Sequence, residues 1–367
     1  MHMGLNKVIF IAVLAFVYKT QAGQPRIDNT IYNSVSTIDS NRAKQFIAHE
    51  KEQFATTSDF LDAAINSINS FNSLIKKENY RIKITSFNNP TSSDMGFNLE
   101  NEIQSALKPL LAKAKNTNIN KFSQVVSSLM TNQSKTSPVK AVAAGMNPLL
   151  STLLGLVGTL TVQEKKITRE DLDSFILVTS KYFVQYEKLN QANILFDQNV
   201  ERLNTRLKDL QFDIKEYMLD MITILNKNIQ RTQLKNLNTE ELFLKYLDKQ
   251  KLEAIFPQDE LAETDNPYRY PTDGIKTAKD IAYNLQKLFN EYQKVYTDNY
   301  QQIRNILLES KTLGKNINTR QVDASLKELE ELYNDSKNSD VLSLRLTTLF
   351  ERLKILTATE QAITVKK

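Results

Sequence analysis

The chain has 367 residues, 41% of them hydrophobic and 24% charged, with 47 Lys and Arg against 42 Asp and Glu for a net charge of +5. It contains no cysteine and only two histidines, so a disulfide-stapled mini-domain and a His/Cys zinc centre are both excluded by composition. Positive and negative side chains interleave along most of the sequence, the pattern of solvated helix faces, so no nucleic-acid partner is expected.

At the N-terminus, Lys7 precedes an apolar run over 8–18, and Thr20-Gln21-Ala22 ends in a small residue suited to cleavage. A run of about a dozen apolar residues is too short to span a bilayer as a helix. Residues 1–22 therefore read as a cleavable signal peptide, with a mature chain starting near Gly23 and exported to a periplasm or out of the cell. Losing Lys7 and Lys19 leaves 45 bases against 42 acids, a net charge of +3. Residues 23–37 read as an N-terminal linker.

A heptad pattern then covers about 39–78. Ile47, Phe54, Leu61, Ile68 and Ile75 recur every seven residues, with Ala64 and Phe71 in the companion seam. The alternation Tyr80-Arg81-Ile82-Lys83-Ile84-Thr85, closed by Asn89-Pro90, predicts at most a short extended segment near 80–87. Helices are expected again at about 99–115 and 120–131. Ser137 and Pro138 then suit an N-cap and first turn leading into an apolar segment at 139–162.

That segment contains 23 consecutive residues, 141–163, without a charge. Asn147-Pro148 divides it. Drawn as a helix from Pro148, it places Ser151, Thr152, Gly155, Gly158 and Thr159 on one side. Leu149, Leu150, Leu153, Leu154, Leu156, Val157 and Leu160 cover the rest. Leu149, Leu150, Leu153, Leu154, Gly155, Val157, Gly158 and Leu160 are thus candidates for membrane or partner contact. Residues 141–162 would measure roughly 33 Å as a helix, close to a bilayer core of about 30 Å. The Asn-Pro break, the small residues and the basic flanks (Lys135, Lys140; Lys165, Lys166, Arg169) favour instead a helix or hairpin buried within the protein.

The strongest periodicity spans 168–230. One seam reads Phe175, Tyr182, Leu189, Phe196, Leu203, Leu210, Tyr217 and Ile224, and its companion reads Leu172, Thr179, Tyr186, Asn193, Val200, Leu207, Ile214 and Met221. Eight heptads without Gly or Pro predict a helix of roughly 80 Å, coiled-coil-like, with the 39–78 helix as its antiparallel partner. Asn193 and Thr179 mark either the end of a partner helix with water entry, or a register-fixing polar layer.

Asn238 and Glu241 have capping-box spacing and open a helix expected to last to 256. A Pro-rich loop at 257–276 follows, and its Tyr268, Arg269 and Tyr270 form a candidate contact loop. C-terminal helices at 277–313, 319–336 and 340–362 complete the chain, packing on the same bundle as 38–256.

No catalytic constellation stands out. His49, the one histidine beyond the signal peptide, falls off the apolar seam beside Glu50, Lys51 and Glu52, on a solvated face. Gly314-Lys315 lacks the rest of a phosphate loop, and the acids of 257–276 do not match a calcium loop. No cofactor or metal is expected.

The fold class is therefore all-α, an elongated antiparallel helical bundle with one buried apolar helix or hairpin. In architecture alone, an apolar segment within an exported, cysteine-free bundle resembles the α-helical pore-forming toxins of the cytolysin A and haemolysin BL type. That resemblance implies a head, 141–162, that leaves the soluble form to enter a membrane. It carries no diagnostic motif and transfers no functional residue. The leading expectation is a non-enzymatic exported bundle serving envelope scaffolding or partner binding, including self-association. The membrane-active protein is the alternative, and an enzyme with a site beside the 257–276 loop is the third reading.

Overall fold

A computed structural model describes residues 29–113, 167–256, 269–337 and 340–365, together with Gln124 and Gly155. Residues 1–22, which the sequence suggests to be a signal peptide, most of the apolar segment and the greater part of the Pro-rich loop lie outside the described residues. The chain divides into two compact units, 1–48 with 258–266, and 49–257 with 267–367. Of the first, helical backbone from Asn29 onward is described, within the stretch that the sequence suggested to be linker.

The second unit is an all-α helical bundle. Ten α-helices are described along the chain: α1 (Asn29–Ile75), α2 (Asn79–Ser86), α3 (Leu99–Leu111), α4 (Arg169–Leu225), α5 (Arg231–Leu234), α6 (Thr239–Leu242), α7 (Lys249–Ile255), α8 (Gly274–Ser310), α9 (Thr319–Lys337) and α10 (Asp340–Val365). A π-helical turn, Phe243–Leu247, joins α6 to α7.

Both predicted heptad helices exist. In α4 every residue of the first seam from Phe175 to Tyr217 is buried, and so are Thr179, Tyr186, Asn193, Leu207, Ile214 and Met221 of the second. A capping box starts the helix, with Thr168 Oγ1 accepting from Asp171 N–H and Asp171 accepting from Thr168 N–H. Along its length α4 runs antiparallel to α8. Lys181 reaches the Leu313 carbonyl just beyond α8, Lys188 pairs with Glu309, and Arg206 pairs with Glu291.

In α1 the seam residues Phe54, Leu61, Ile68 and Ile75 are buried with Ala64 and Phe71, yet burial extends almost around the helix between 53 and 68. Small residues there (Ala63, Ala64, Ser67) allow neighbours to approach closely. The hydroxyls that close packing traps bond to backbone. Ser67 Oγ donates to Ala63 O at 2.7 Å, and Ser58 Oγ to Leu247 O at 2.6 Å, where the π-turn ends.

The segment that the sequence suggested to be extended, near 80–87, is occupied by helix α2 as far as Ser86, which corrects that reading. Tyr80 and Ile84 satisfy both a period of two and an i,i+4 helical repeat, and over six residues the two patterns cannot be told apart. The tertiary environment decides. Tyr80 inserts among Phe196 and Tyr296, at ring distances of 5.5 and 5.3 Å, and donates its hydroxyl to Asn299 Oδ1 at 2.8 Å. Ile82 is turned to solvent. Asn193 Nδ2, from the α4 seam, donates to Ile84 O at 3.1 Å, satisfying one of the last carbonyls of α2. The polar layer at Asn193 thus marks the end of a partner helix.

The capping box expected at Asn238 and Glu241 forms. The helix does not continue to 256, because Asp248 leaves helical geometry and re-caps α7 through Gln250 N–H. Between α2 and α3 a turn-rich loop wedges Phe87, Met95 and Phe97 into the core. Gly96 there has φ of +80°, and its carbonyl accepts from Asn318 N–H at 2.7 Å, tying the loop to the start of α9.

Candidate functional site

A connected polar network lies at the end of the Pro-rich loop. Tyr270 Oη lies 2.7 Å from Thr57 Oγ1 on α1 and 2.8 Å from Tyr217 Oη on α4. Its backbone N–H donates to the Glu50 carboxylate, and its ring meets Phe54 edge-on at 5.4 Å. Gly274, the first residue of α8, has no room for a side chain, since a Cβ would fall 2.6 Å from Tyr270 Cε1. Burial pushes the Tyr270 phenol up to about 12 and the Tyr217 phenol well above its ordinary value. At neutral pH these hydroxyls are protonated and hydrogen-bonded to one another, an arrangement that clamps the chain.

His49 Nδ1 lies 3.9 Å from Glu52 Oε2, and the side chain is about one-fifth exposed. Among the described residues no group of three His, Asp or Glu could hold a metal ion. Of the proposed contact loop, Tyr268 lies outside the described residues, Arg269 is exposed, and Tyr270 turns inward as above.

The apolar contact candidates Leu149, Leu150, Leu153, Leu154, Val157, Gly158 and Leu160 also lie outside the described residues. Gly155 is helical and exposed, and a Cβ there would meet nothing within 4 Å.

Two exposed apolar surfaces were not singled out by periodicity. On α10, Leu342, Leu346, Leu349 and Leu356 face the core, while Val341, Leu344 (67% exposed) and Ile355 point outward, within about 60° of one another on the wheel. A helix apolar on both sides ordinarily has neighbours on both. On α4, Leu177 (75% exposed), Val184 (50%) and Leu195 (51%) fall within about 20° of one another, with Ile176 and Val178 also exposed on either flank. Leu177 and Val184 keep the heptad interval but sit off both seams, so the core pattern concealed them.

Among the described residues no helix is long and apolar enough to cross a membrane. Compared with protein-family models, with curated proteins and with solved structures, the chain has no match in any of the three.

Proposed function

We propose that the chain is an exported, non-enzymatic bundle protein that holds a partner protein in the cell envelope through the outward face of α10. The observation that supports this reading most directly is the stripe of Val341, Leu344 and Ile355 opposite the buried seam of the same helix. Arg345 and Glu351, also exposed, border it, giving an apolar strip with a polar rim. Such a strip suits the apolar face of an amphipathic partner helix.

The test places a photocrosslinking residue at Leu344 and, as a control, at Lys327 on α9, in cells that export the protein. A discrete adduct from 344 that is lost on Val341→Glu, and is absent from 327, supports the reading. The same adducts from both positions would sink it.

A second reading is membrane activity of the kind the pore-forming resemblance implies. One observation favours it: exposed apolar residues on α4 begin at Ile176, soon after the charge-free segment ends. In that case the mature chain releases dye from liposomes, and Leu153→Glu abolishes the release. An inert chain leaves the partner-binding reading standing.

A further inference from the structure

Helix α4 carries a second seven-residue pattern, turned away from its buried seams. Two residues beyond Phe175, Tyr182 and Leu210 stand Leu177, Val184 and Phe212, and two beyond Asn193 stands Leu195. A step of two residues is about 200° around a helix, which places all four opposite the core. All four are exposed, Phe212 at 61%. Because the first seam stays buried from Phe175 to Tyr217, the positions opposite it stay on one face over the same length.

That face is arranged symmetrically about a point between Ile194 and Leu195. Leu177 and Phe212 lie equally far from it on either side, and Glu187 and Lys188 are as far to one side as Arg202 and Glu201 are to the other. A second α4 laid antiparallel across a two-fold axis at this point brings Leu177 level with Phe212, Glu187 with Arg202 and Lys188 with Glu201, each twice. Apolar thus meets apolar, and acid meets base. Lys181 and Lys208 also come level, but Lys181 is turned back to the Leu313 carbonyl of its own chain. Lys188 pairs with Glu309 within the chain, so Glu187 and Arg202 set the register.

We propose that the outward face of α4 is a self-association surface, on which a second copy of this chain docks antiparallel with the two-fold axis beside Leu195. The available area fits such a partner. From 177 to 212 the face runs roughly 52 Å, and at a helix width of about 10 Å it offers about 500 Å² per copy. A total of about 1,000 Å² is at the threshold of a specific interface, so the dimer forms and dissociates with concentration. Lys188, Arg202 and Asp209, interspersed among the apolar residues of the face, make it a poor seat for lipid hydrocarbon. The inference stands whatever α10 binds.

Because the chain has no cysteine, single introduced thiols report without background. In the full-length protein, Leu195→Cys oxidises to a disulfide dimer at least tenfold faster than Leu177→Cys or Phe212→Cys alone, whose thiols stand roughly 52 Å from their own mates. Mixing Leu177→Cys with Phe212→Cys restores fast cross-linking between those two. A second measurement guards against misfolding. In sedimentation equilibrium the unaltered chain dimerises with rising concentration, and Leu195→Glu raises the dissociation constant at least tenfold while the circular dichroism melt of the dilute protein is unchanged. A chain that stays monomeric throughout the micromolar range overturns the proposal, as does a dimer indifferent to Leu195→Glu. Equal rates of self-linking at 177 and 195 overturn it too. Protection of the Leu195→Cys thiol from maleimide only when phosphatidylcholine vesicles are present would give the face to lipid and likewise overturn it.

Discussion

Replacing Gly96 with Ala is the sharpest test of how the α2–α3 loop is fixed in the bundle. The residue sits at φ +80°, a region that costs a residue with a Cβ about 1–2 kcal/mol. The added Cβ would lie 2.6 Å from Val322 Cγ2, 2.9 Å from the Asn318 carbonyl oxygen and 3.0 Å from Ile317 Cγ2. Two of these contacts are methyls of packed side chains and the third is backbone, so relief requires shifting the start of α9, at an overpacking cost of about 1–3 kcal/mol. Such a shift also strains the Asn318 N–H bond to Gly96 O. Together Gly96→Ala should destabilise by about 2–5 kcal/mol, read as a lower urea midpoint at unchanged slope by circular dichroism at 222 nm. Gly314→Ala is the internal control. A Cβ there is 3.4 Å from its nearest neighbour, Tyr182 Oη, and the change should stay within about 0.5 kcal/mol. Adding Val322→Ala should recover about 1 kcal/mol of the coupled cost in a double-mutant cycle. A loss below about 0.5 kcal/mol for Gly96→Ala, or full additivity with Val322→Ala, would refute the reasoning.

Three further outcomes are expected. Asn193→Leu, which completes the hydrophobic seam, should nevertheless destabilise by about 1–3 kcal/mol, because it leaves the Ile84 carbonyl of α2 without its side-chain donor; a gain in melting temperature would show that the bond contributes nothing. Tyr270→Phe removes the hydroxyl that joins Thr57 to Tyr217 and should cost about 1–2 kcal/mol in denaturant unfolding, and a neutral result would deny the clamp. Alkaline pH supplies the last. Burial raises the phenols of Tyr80, Tyr186, Tyr217, Tyr270 and Tyr292 above the usual 10.0, so the unfolded chain loses those protons first and the folded chain keeps them. Stability present below pH 10 should therefore fall as pH rises beyond it, by up to about 1.4 kcal/mol per pH unit for each such tyrosine. Absorbance at 295 nm should show these rings titrating only with unfolding, and normal ionisation of all 14 tyrosines in the native state would contradict the assignment.

The candidate surfaces were less legible in sequence than the fold. Heptad counting finds residues that repeat toward one neighbour, and Leu177 and Val184 repeat at the same interval as the buried seams while facing the other way. Only the arrangement of α3, α8 and the α2–α3 loop around α4 separates the two rows. Tyr270 offers the converse lesson. Its setting beside Pro271 and Arg269 suggested an outward contact, but the polar partners that capture its hydroxyl come from residues 53 and 213 positions away in the chain.

By itself the sequence determined the period and the punctuation of this protein. Seven-residue spacing dictates long amphipathic helices, and Asn238 with Glu241 places the start of a shorter one, because caps and periodicity act within a few residues of backbone. Tertiary structure decided what depends on distant neighbours. It made Tyr80 to Thr85 a helix by giving Tyr80 an aromatic socket and Ile84 a donor, and made the middle of α1 a buried helix by surrounding it. It also left one row of α4 and one of α10 facing water, since burial is a property of which surfaces meet and no local pattern specifies that.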